Sequence, residues 1–464
     1  MKQSIATKQH TEIALRGEKV LVVGLAKTGI STARFLKQQG AIVTATDILP
    51  ASRIKGIDEL YGAGVDIETG GHSLKHFLNT DLIVVSPGIS PDIEPLMQAR
   101  ENGIDIISEI ELAFNFIEEP ILAIAGTNGK TTTTTLIGKV LGDAGKRVFV
   151  GGNIGLPLIE YVMADKKADY LVAEVSSFQL EGIRRFRPHI AILLNITEDH
   201  LDRYASFDEY AAAKFRLFEN MDKGDFAIIN IDDPTIKSQI SNIKPQISIL
   251  SFSSSNVLGK GIYCRNGNIV YYAEGKEELY PAGNFRLKGT HNMENIMAAI
   301  VAARICGVPK DKILKSIEEF NGLPHRMEFV KEINGVAYYN DSKGTNIGAL
   351  QKSLVGMNSP VILIAGGKDK GGDYRVLKDL IRKKVKLLIL LGEAKNKMKD
   401  ALGDCTETRL VESLSEAVTV AAKRAAAGDV VLLSPACSSF DMFKNYEERG
   451  ELFRREVRGL EGRG

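Results

Sequence analysis

The chain has 464 residues, of which 44% are hydrophobic and 25% charged, and its 59 basic and 58 acidic side chains give a formal charge of +1. This length allows roughly two to four domains and excludes a small fold that depends on disulfides. The balanced charge argues against a general nucleic-acid binder. The longest apolar runs are far shorter than the ~20 residues that cross a bilayer, and the amino terminus lacks the apolar core of a signal peptide, so a soluble cytoplasmic protein is expected.

The cysteines do not form a recognisable metal or disulfide pattern. They are far apart and include no CxxC pair: Cys264, Cys306, Cys405 and Cys437. This spacing favours reduced, packed thiols over a disulfide framework or a zinc site.

Short β-branched runs that end in Gly, Asp or Ser alternate with helical stretches, as is typical of βαβ units and parallel sheets. The first block has predicted strands at 19–24, 41–47 and 82–88, and helices near 30–38 and 109–117. The second has predicted strands at 121–126, 170–175, 190–196 and 225–231, a polar stretch with antiparallel strand-like pieces at 246–281, and a helix at 293–305. The third has predicted strands at 335–341, 361–367, 386–392 and 429–436.

The pattern restarts twice, and the segment FNGLPHR at 320–326 suits a linker because of its Gly and Pro. The sequence therefore predicts an α/β protein of three domains. They are a Rossmann-like N-terminal domain at 1–117, a central P-loop ATPase-type domain with a parallel or mixed sheet at 118–322, and a Rossmann-like C-terminal domain at 323–464.

The clearest local motif is ILAIAGTNGKTTTTTLIGKVL, an apolar strand, a glycine-containing loop and a helix that opens with Lys-Thr. Gly126 and Gly129 let backbone N–H groups face a phosphate, while Lys130 neutralises its charge and Thr131 offers a hydroxyl to Mg²⁺. The usual GxxxxGK[ST] pattern would place glycine at Ile124, so this is a shortened variant. The motif predicts binding of a nucleoside triphosphate.

A weaker motif lies near the amino end. GLAKTG at 24–29 follows a predicted strand, and Asp47 ends the next strand, as in a dinucleotide fingerprint whose middle glycine is here Ala26. The pattern fits an NAD site, a nucleotide-binding βαβ unit without a redox cofactor, or only a tight turn.

Polar residues also follow the predicted strands of the second block, where ligands bind in open α/β sheets. Glu174 interrupts the apolar run YLVAEV, and a buried carboxylate there is costly unless it is paired or metal-bound, so metal binding is favoured. The loop NITEDHLDRY at 195–204 contains His200, either a hydrogen-bonded loop histidine or a metal and substrate ligand; its position beside the phosphate loop favours the ligand. Lys214 has apolar neighbours on its helix and by itself would be a solvated lysine.

Taken together, these motifs resemble the Mur ligase family of ATP-dependent, amide-forming enzymes. The matches span nearly the whole chain: GTNGKT at 126–131, GGNIGLPL at 151–158, EVSSFQLE at 174–181, NITEDHLDRY, the Lys214 helix, HNMEN at 291–295 and PHRME at 324–328. Three further segments resemble the member that adds D-glutamate: NDSKGTN at 340–346, GGKDKGGDY at 366–374 and LSPACSSFDMFKNYEERG at 433–450. Ile48 and Leu49 depart from the polar and basic residues expected after Asp47.

The resemblance implies joining of D-glutamate to UDP-N-acetylmuramoyl-L-alanine through an acyl phosphate. ATP would be consumed in peptidoglycan precursor synthesis, and hence in cell-wall biogenesis, cell shape and cell division. It also implies two Mg²⁺ ions, a Lys214 carbamylated by CO₂, and a monomer without a nucleic-acid or membrane partner. The three predicted domains would bind the UDP substrate, ATP and the amino acid, in that order.

The resemblance also assigns site residues. The catalytic residues would be Lys130, Glu174, His200 and Lys214, and the metal ligands would be Thr131, Glu174, His200 and Lys214. The ATP-binding residues would be Gly126, Thr127, Asn128, Gly129, Lys130, Thr131, Thr132, Asn292, Asn295, Arg326 and Asp341. The UDP substrate would contact Thr28, Asp47, Ser86, Gly88, Asn153 and His200. D-Glutamate would contact Lys343, Thr345, Lys370, Ser439 and Tyr446.

Alternative functions make different use of the same motifs. A nicotinamide-dependent oxidoreductase would use GLAKTG and Asp47 but leaves the phosphate loop, Glu174 and His200 unexplained. A non-catalytic ATP-binding switch would use the phosphate loop alone. Another Mur ligase or a folylpolyglutamate-synthetase-like ligase is the alternative within the same class, although such relatives typically carry a His-containing motif where this chain has Asp341.

Overall fold

The structure is a computed structural model that describes residues 15–460 except 165, 198, 200–202, 274, 288 and 370. Three sheets organise three α/β domains. The chain forms two compact units: one extends to Gly283 and takes in Glu294–Ile317, and the other consists of Asn284–Met293 and the chain from Glu318 onward. None of the described helices is both long and apolar enough to cross a membrane.

The first sheet is wholly parallel and has the strand order β3-β2-β1-β4-β5. Its strands are β1 (Lys19–Val23), β2 (Ile42–Asp47), β3 (Asp66–Thr69), β4 (Leu82–Val85) and β5 (Asp105–Ser108). The helices of this domain are α1 (Lys27–Gln38), α2 (Ile57–Gly62), α3 (Leu74–Leu78), α4 (Glu94–Glu101) and α5 (Glu109–Phe114). The central strand β1 is buried from Val20 onward, which explains its continuous apolar run.

The second sheet has nine strands in the order β14-β13-β12-β11-β10-β9-β6-β8-β7. They are β6 (Ile121–Ala125), β7 (Val148–Gly152), β8 (Tyr170–Glu174), β9 (Ile190–Leu193), β10 (Phe226–Asn230), β11 (Ser248–Ser253), β12 (Gly261–Arg265), β13 (Asn268–Ala273) and β14 (Lys276–Pro281). The associated helices are α6 (Lys130–Asp143), α7 (Leu158–Met163), α8 (Ser177–Glu181), α9 (Phe207–Phe215), α10 (Pro234–Gln239), α11 (Thr290–Ile305) and α12 (Lys310–Glu318). The polar stretch at 246–281 extends this sheet: β11 and β12 pair in parallel, and only β13 and β14 are antiparallel additions.

The third sheet has the order β15-β16-β20-β17-β18-β19. Its strands are β15 (Glu328–Ile333), β16 (Val336–Asn340), β17 (Val361–Gly366), β18 (Val385–Leu391), β19 (Glu407–Leu410) and β20 (Val430–Leu433). Its helices are α13 (Ile347–Val355), α14 (Lys378–Lys384), α15 (Lys395–Leu402), α16 (Leu414–Arg424) and α17 (Tyr446–Arg458). Only β15 pairs antiparallel with its neighbour; the other pairings are parallel.

Two buried glutamates on α5 connect the first domain to the second. Both carboxylate oxygens of Glu111 are used: they accept hydrogen bonds from the backbone N–H groups of Arg184, Arg185 and Phe186 at 2.8–2.9 Å. Glu109 accepts a hydrogen bond from the backbone N–H of Ile159 at 2.7 Å, and burial raises the pKa of this carboxyl to about 7. The two domains therefore share buried polar contacts as well as an apolar core.

Replacing Glu111 with alanine should lower the free energy of unfolding. Glu111→Ala removes the acceptor of one buried and two partly buried backbone N–H groups, and we expect a loss of roughly 2–4 kcal/mol, measured by urea denaturation. Glu118→Ala is the matched control because its carboxylate is exposed and, among the described residues, pairs with the exposed Lys167. Equal unfolding free energies for the two variants would contradict a role for Glu111 at this junction.

Candidate active site

The glycine-rich loop connects β6 to α6 at the carboxyl edge of the second sheet. Its glycines have φ values of +149° at Gly126 and +85° at Gly129, which L side chains rarely adopt. A Cβ atom on Gly129 would also lie 2.3 Å from Oδ1 of Asn295. Glycine is thus needed both for the turn and for the close approach of α11. The predicted residues Thr131 and Thr132 lie in the first turn of α6, where backbone N–H groups favour an anion.

Asn195, which sequence reasoning did not single out, holds the loop in place. Its carbonyl accepts a hydrogen bond from the Thr127 N–H at 2.9 Å, and its side-chain oxygen accepts one from the Asn128 N–H at 2.8 Å. Its amide group donates to the Asn128 carbonyl at 3.1 Å. The only sequence signal was its position just after β9, at the start of NITEDHLDRY.

Two lysines donate to the same carbonyl oxygen in this loop. Nζ of Lys130 lies 2.9 Å from the Gly126 oxygen, and Nζ of Lys214, from α9, lies 3.1 Å from it. Lys214 is only 2% exposed, so it is not the solvated helix lysine that its local sequence alone would favour. Burial, and then repulsion from Lys130, lowers the pKa of Lys214 to about 7. The Lys214 ammonium also lies 4.5 Å from the centre of the Tyr210 ring.

Glu174 ends β8 beside β6, where it pairs in register with Ile124, just before the loop. It is 2% exposed, and one carboxylate oxygen accepts a hydrogen bond from the Asn153 amide at 3.0 Å. Its other oxygen, Oε2, is buried and has no hydrogen-bond partner among the described residues. An unpartnered buried carboxylate oxygen beside a phosphate loop fits a divalent cation.

The structure tests the remaining predicted metal ligands only in part. Thr131 and Lys214 lie on α6 and α9, whereas His200 falls outside the described residues. Within the described ranges, there is no cluster of three or more His, Cys, Asp or Glu side chains suited to a metal ion. Of the predicted ligands, the structure thus describes Thr131, Glu174 and Lys214, all next to the phosphate loop.

The residues predicted to contact the UDP substrate lie at the carboxyl edge of the first sheet, apart from Asn153, which follows β7, and His200. Thr28 is in the first turn of α1, and Ser86 and Gly88 follow β4. The hydroxyl of Ser86 donates to the Gly24 carbonyl at 2.7 Å. Asp47 accepts hydrogen bonds from the N–H groups of Leu25 and Leu49 at 2.6 and 2.8 Å, so it also holds the GLAKTG loop in place.

Two predicted ATP-binding residues, Asn292 and Asn295, are buried in the first turns of α11. Two others belong to the third sheet's domain, where Arg326 is exposed and Asp341 follows β16. Asp341 accepts hydrogen bonds from the hydroxyls of Ser353 and Ser434, both at 2.8 Å. Burial raises the pKa of the Asp341 carboxyl to about 6, opposed by these hydrogen bonds.

The residues predicted to bind D-glutamate lie in loops of the third domain or, in the case of Tyr446, at the start of a helix; Lys370 is outside the described residues. Nζ of Lys343 lies 5.5 Å from the centre of the Tyr446 ring. Ser439 is buried, and Thr345 is half-buried. The described members are thus placed in the loop after β16, the loop after β20 and the start of α17.

Arg449, a second residue that sequence reasoning did not single out, connects two of these loops. Its buried guanidinium on α17 donates to the carbonyl of Ser342 at 2.8 Å and to those of Cys437 and Ser438 at 3.2 and 3.3 Å. It also donates to the Ser342 hydroxyl at 3.0 Å. The YEERG segment that contains Arg449 reads as an ordinary charged helix, so its burial gave no local signal.

The mostly parallel sheet of the second domain, its glycine-rich loop and the lysine that opens α6 place the protein in the class of enzymes built on phosphate-loop domains. Three family descriptions match the chain: "Mur ligase MurD-like, N-terminal domain" at residues 18–108, "Mur ligase middle domain" at 124–303 and "Mur ligase, glutamate ligase domain" at 325–437. The chain belongs to the Mur ligase family and is an ATP-dependent ligase. This membership excludes a nicotinamide-dependent oxidoreductase and a non-catalytic ATP-binding switch.

Relatives of high similarity extend over nearly the whole chain. The UDP-N-acetylmuramoylalanine--D-glutamate ligase of Geotalea uraniireducens is 52% identical over 448 residues, covering 96% of this chain and 98% of that protein. The ligase of the same name from Geotalea daltonii is 51% identical over 449 residues, covering 97% of this chain and 99% of that protein.

Solved structures agree on the fold. The UDP-N-acetylmuramate-alanine ligase of Thermotoga maritima superposes with a TM-score of 0.54 at 18% identity, covering 95% of this chain and 99% of that one. A pseudomurein peptide ligase type C from Methanothermus fervidus gives a TM-score of 0.53 at 19% identity, covering 96% of this chain and 100% of that one.

The lowered pKa of Lys214 predicts a pH-dependent contribution to stability. Between about pH 7 and pH 10 the unfolded lysine binds a proton that the folded lysine has released, so stability rises with pH in this window. Compared with Lys214→Met in CO₂-free buffer, the wild type should gain roughly 1.4 kcal/mol per pH unit in urea unfolding. Lys223→Met, at an exposed lysine, is the control. If the difference in unfolding free energy between wild type and Lys214→Met does not change with pH, the lowered pKa of Lys214 is contradicted.

Proposed function

We propose that the protein joins D-glutamate to UDP-N-acetylmuramoyl-L-alanine, with ATP converted to ADP and phosphate, in the cytoplasmic synthesis of peptidoglycan precursors. One observation carries this proposal: proteins named for the D-glutamate-adding reaction are about half identical to this chain along nearly its whole length. The phosphate loop, Glu174 and Lys214 supply the chemistry that such a reaction needs.

The reaction needs ATP because a carboxylate has no adequate leaving group at neutral pH. The carboxylate oxygen of the L-alanyl group attacks the γ-phosphorus of ATP, which forms an acyl phosphate and releases ADP. The amino group of D-glutamate then attacks the acyl carbon, loses a proton and expels inorganic phosphate, leaving an amide. Phosphoryl transfer of this kind depends mainly on positioning and on charge neutralisation.

The phosphate loop performs both tasks in this proposal. Backbone N–H groups of 126–132 and the Lys130 ammonium hold the ATP phosphates, and Asn195 keeps the loop in its turn. Nζ of Lys130 now donates to the carbonyls of Gly126 and Thr127, both at 2.9 Å, and would exchange these acceptors for phosphate oxygens. Other ATP contacts are assigned to Asn292, Asn295, Arg326 and Asp341.

Magnesium would be held by Thr131, Glu174, His200 and a carbamylated Lys214. When bound, Mg²⁺ neutralises phosphate charge and orients the reacting oxygens. Glu174 supports this assignment because its Oε2 atom is buried without a partner among the described residues, while Asn153 fixes the other oxygen.

Carbamylation of Lys214 requires the neutral amine, which attacks CO₂ and releases a proton to give a carbamate anion. With a pKa of about 7, roughly half of the Lys214 side chains carry this neutral amine at neutral pH. The product places an anion beside the half-buried Lys130, where a Lys214 ammonium would repel it.

The substrate contacts complete the proposal. UDP-N-acetylmuramoyl-L-alanine would be bound by Thr28, Asp47, Ser86, Gly88, Asn153 and His200. D-Glutamate would be bound by Lys343, Thr345, Lys370, Ser439 and Tyr446, whose two lysines suit an amino acid with two carboxylates. Domain boundaries at 117/118 and 322/323 and a monomeric state are part of the same proposal.

The acceptor amino acid provides the first test of the function. Purified protein with ATP, Mg²⁺ and UDP-N-acetylmuramoyl-L-alanine should release phosphate with D-glutamate. L-Alanine and lysine should not support release, because they lack the second carboxylate and leave a cation unpaired, and L-glutamate should not because pairing of both its carboxylates misplaces its amino group. Turnover with L-alanine equal to that with D-glutamate would assign the chain a different acceptor.

The role of Lys130 is tested by substitution. Lys130→Ala should lower the rate at least ~100-fold while the protein stays folded.

Carbon-13 NMR tests the carbamate directly. Wild-type protein equilibrated with ¹³C-bicarbonate should give a carbamate signal that Lys214→Ala lacks, and this variant should lose activity by orders of magnitude. Acetate should partly restore its activity by providing a carboxylate in the vacated position. An active wild-type enzyme without a carbamate signal would refute the modification and leave the ligase assignment to the acceptor assay.

A further inference from the structure

A cavity of about 380 Å³ lies between the first domain and the second, beside the predicted nucleotide-substrate loop. Its apolar lining comes mainly from β4, α4, β5 and the segments that connect them: Val85, Ile89, Leu96, Ile104, Ile106 and Ile107. Of the residues assigned above to ATP, Mg²⁺ or the UDP substrate, only Ser86 lines it. Branched aliphatic side chains on one wall provide a surface for the apolar part of a ligand.

The charged lining of the cavity is predominantly basic. Four arginines line it, together with one glutamate: Arg100, Arg184, Arg203, Arg216 and Glu181. Arg184 pairs with Asp105 at 2.8 Å, and Arg216 pairs with Glu219 at 2.7 Å. In the described part of the chain, no hydrogen bond or ion pair holds the Arg100 guanidinium, which leaves its donors for an anion.

Arg203 connects this cavity to the substrate loop. Its guanidinium stacks on the Phe178 ring at 3.8 Å and donates to Glu181 at 3.1 Å. A third contact, at 2.9 Å, is to the carbonyl of Pro87, which lies between Ser86 and Gly88. One side chain thus lines the cavity and holds the loop that is assigned to the UDP substrate.

We propose that this cavity binds a small amphipathic carboxylate and that occupancy weakens binding of the uridine-nucleotide substrate. The carboxylate pairs with Arg100 and Arg203, and the apolar body lies against the aliphatic wall. Pairing with the ligand draws Arg203 away from the Pro87 carbonyl and releases the Ser86–Gly88 loop. The effect on the substrate rests on the proposed function, whereas binding in the cavity does not.

The test uses 4-phenylbutyrate as the probe and the full-length protein labelled with ¹³C at isoleucine methyl groups. Saturable shifts should be concentrated at the isoleucines that line the cavity, which include Ile89, Ile104 and Ile106. Arg100→Ala should weaken binding at least about five-fold, and Ile104→Trp, which fills the cavity, should abolish it. Arg16→Ala is the matched control, since Arg16 is an exposed arginine of the same domain outside the cavity.

Lack of saturable binding at millimolar probe would overturn the site, as would equal affinity in wild type, Arg100→Ala and Ile104→Trp. If Ile104→Trp does not fold, the charge reversal Arg100→Glu replaces it, and probe affinity equal to that of the wild type would overturn the site.

The affinity for UDP is then measured with and without saturating probe, and we expect the probe to lower it several-fold. Unchanged UDP affinity would overturn the regulatory effect alone. A protein that binds the probe but never binds UDP would overturn that effect together with the proposed function, and the cavity site would stand on the methyl shifts.

Discussion

The carbonyl oxygen of Gly126 accepts hydrogen bonds from two lysines, and the character of the whole site follows from this crowding. Lys130 and Lys214 approach the same atom from different helices, at 2.9 and 3.1 Å, and one of them is almost completely buried. Two ammonium groups so close together repel each other, which favours the neutral form of the more buried one and attracts anions to the other. A bound phosphate group, or an anionic adduct on Lys214, removes this electrostatic repulsion.

Buried carboxylates serve different ends in this fold, and their hydrogen-bond partners distinguish them. Glu111 is saturated by three backbone donors and acts as a structural anchor between domains. Glu109 has an oxygen without a described partner, but burial raises the pKa of its carboxyl to about 7, so a proton can neutralise it away from the phosphate loop. Glu174 has a similar free oxygen at a strand end beside that loop, where a cation can take the place of the proton.

Sequence analysis predicted the interior strands of each sheet and, of the edge strands, only β14. The strands that sequence analysis did not identify all lie at sheet edges: β3, β5, β7, β15 and β19. An edge strand has only one neighbour and is partly exposed, so it lacks the continuous apolar run that marks a central strand. The burial of Lys214 and the contacts of Asn195 and Arg449 could not be predicted from the local sequence either, because the residues they contact are distant in the chain. Family resemblance pointed to Lys214, whereas nothing local pointed to the other two.

The same edge strands have a consequence for the behaviour of the molecule in solution. An open sheet edge offers unpaired backbone groups to any strand that comes within reach, and long apolar edges therefore promote aggregation. Four of the six edge strands are charged: β3 reads DIET, β19 reads ETRL, and β14 and β15 carry lysine and glutamate among their apolar residues. Stacking a second copy edge to edge would force these charges to lose water. The charged residues of these four strands thus disfavour edge-to-edge pairing at one edge or more of each sheet.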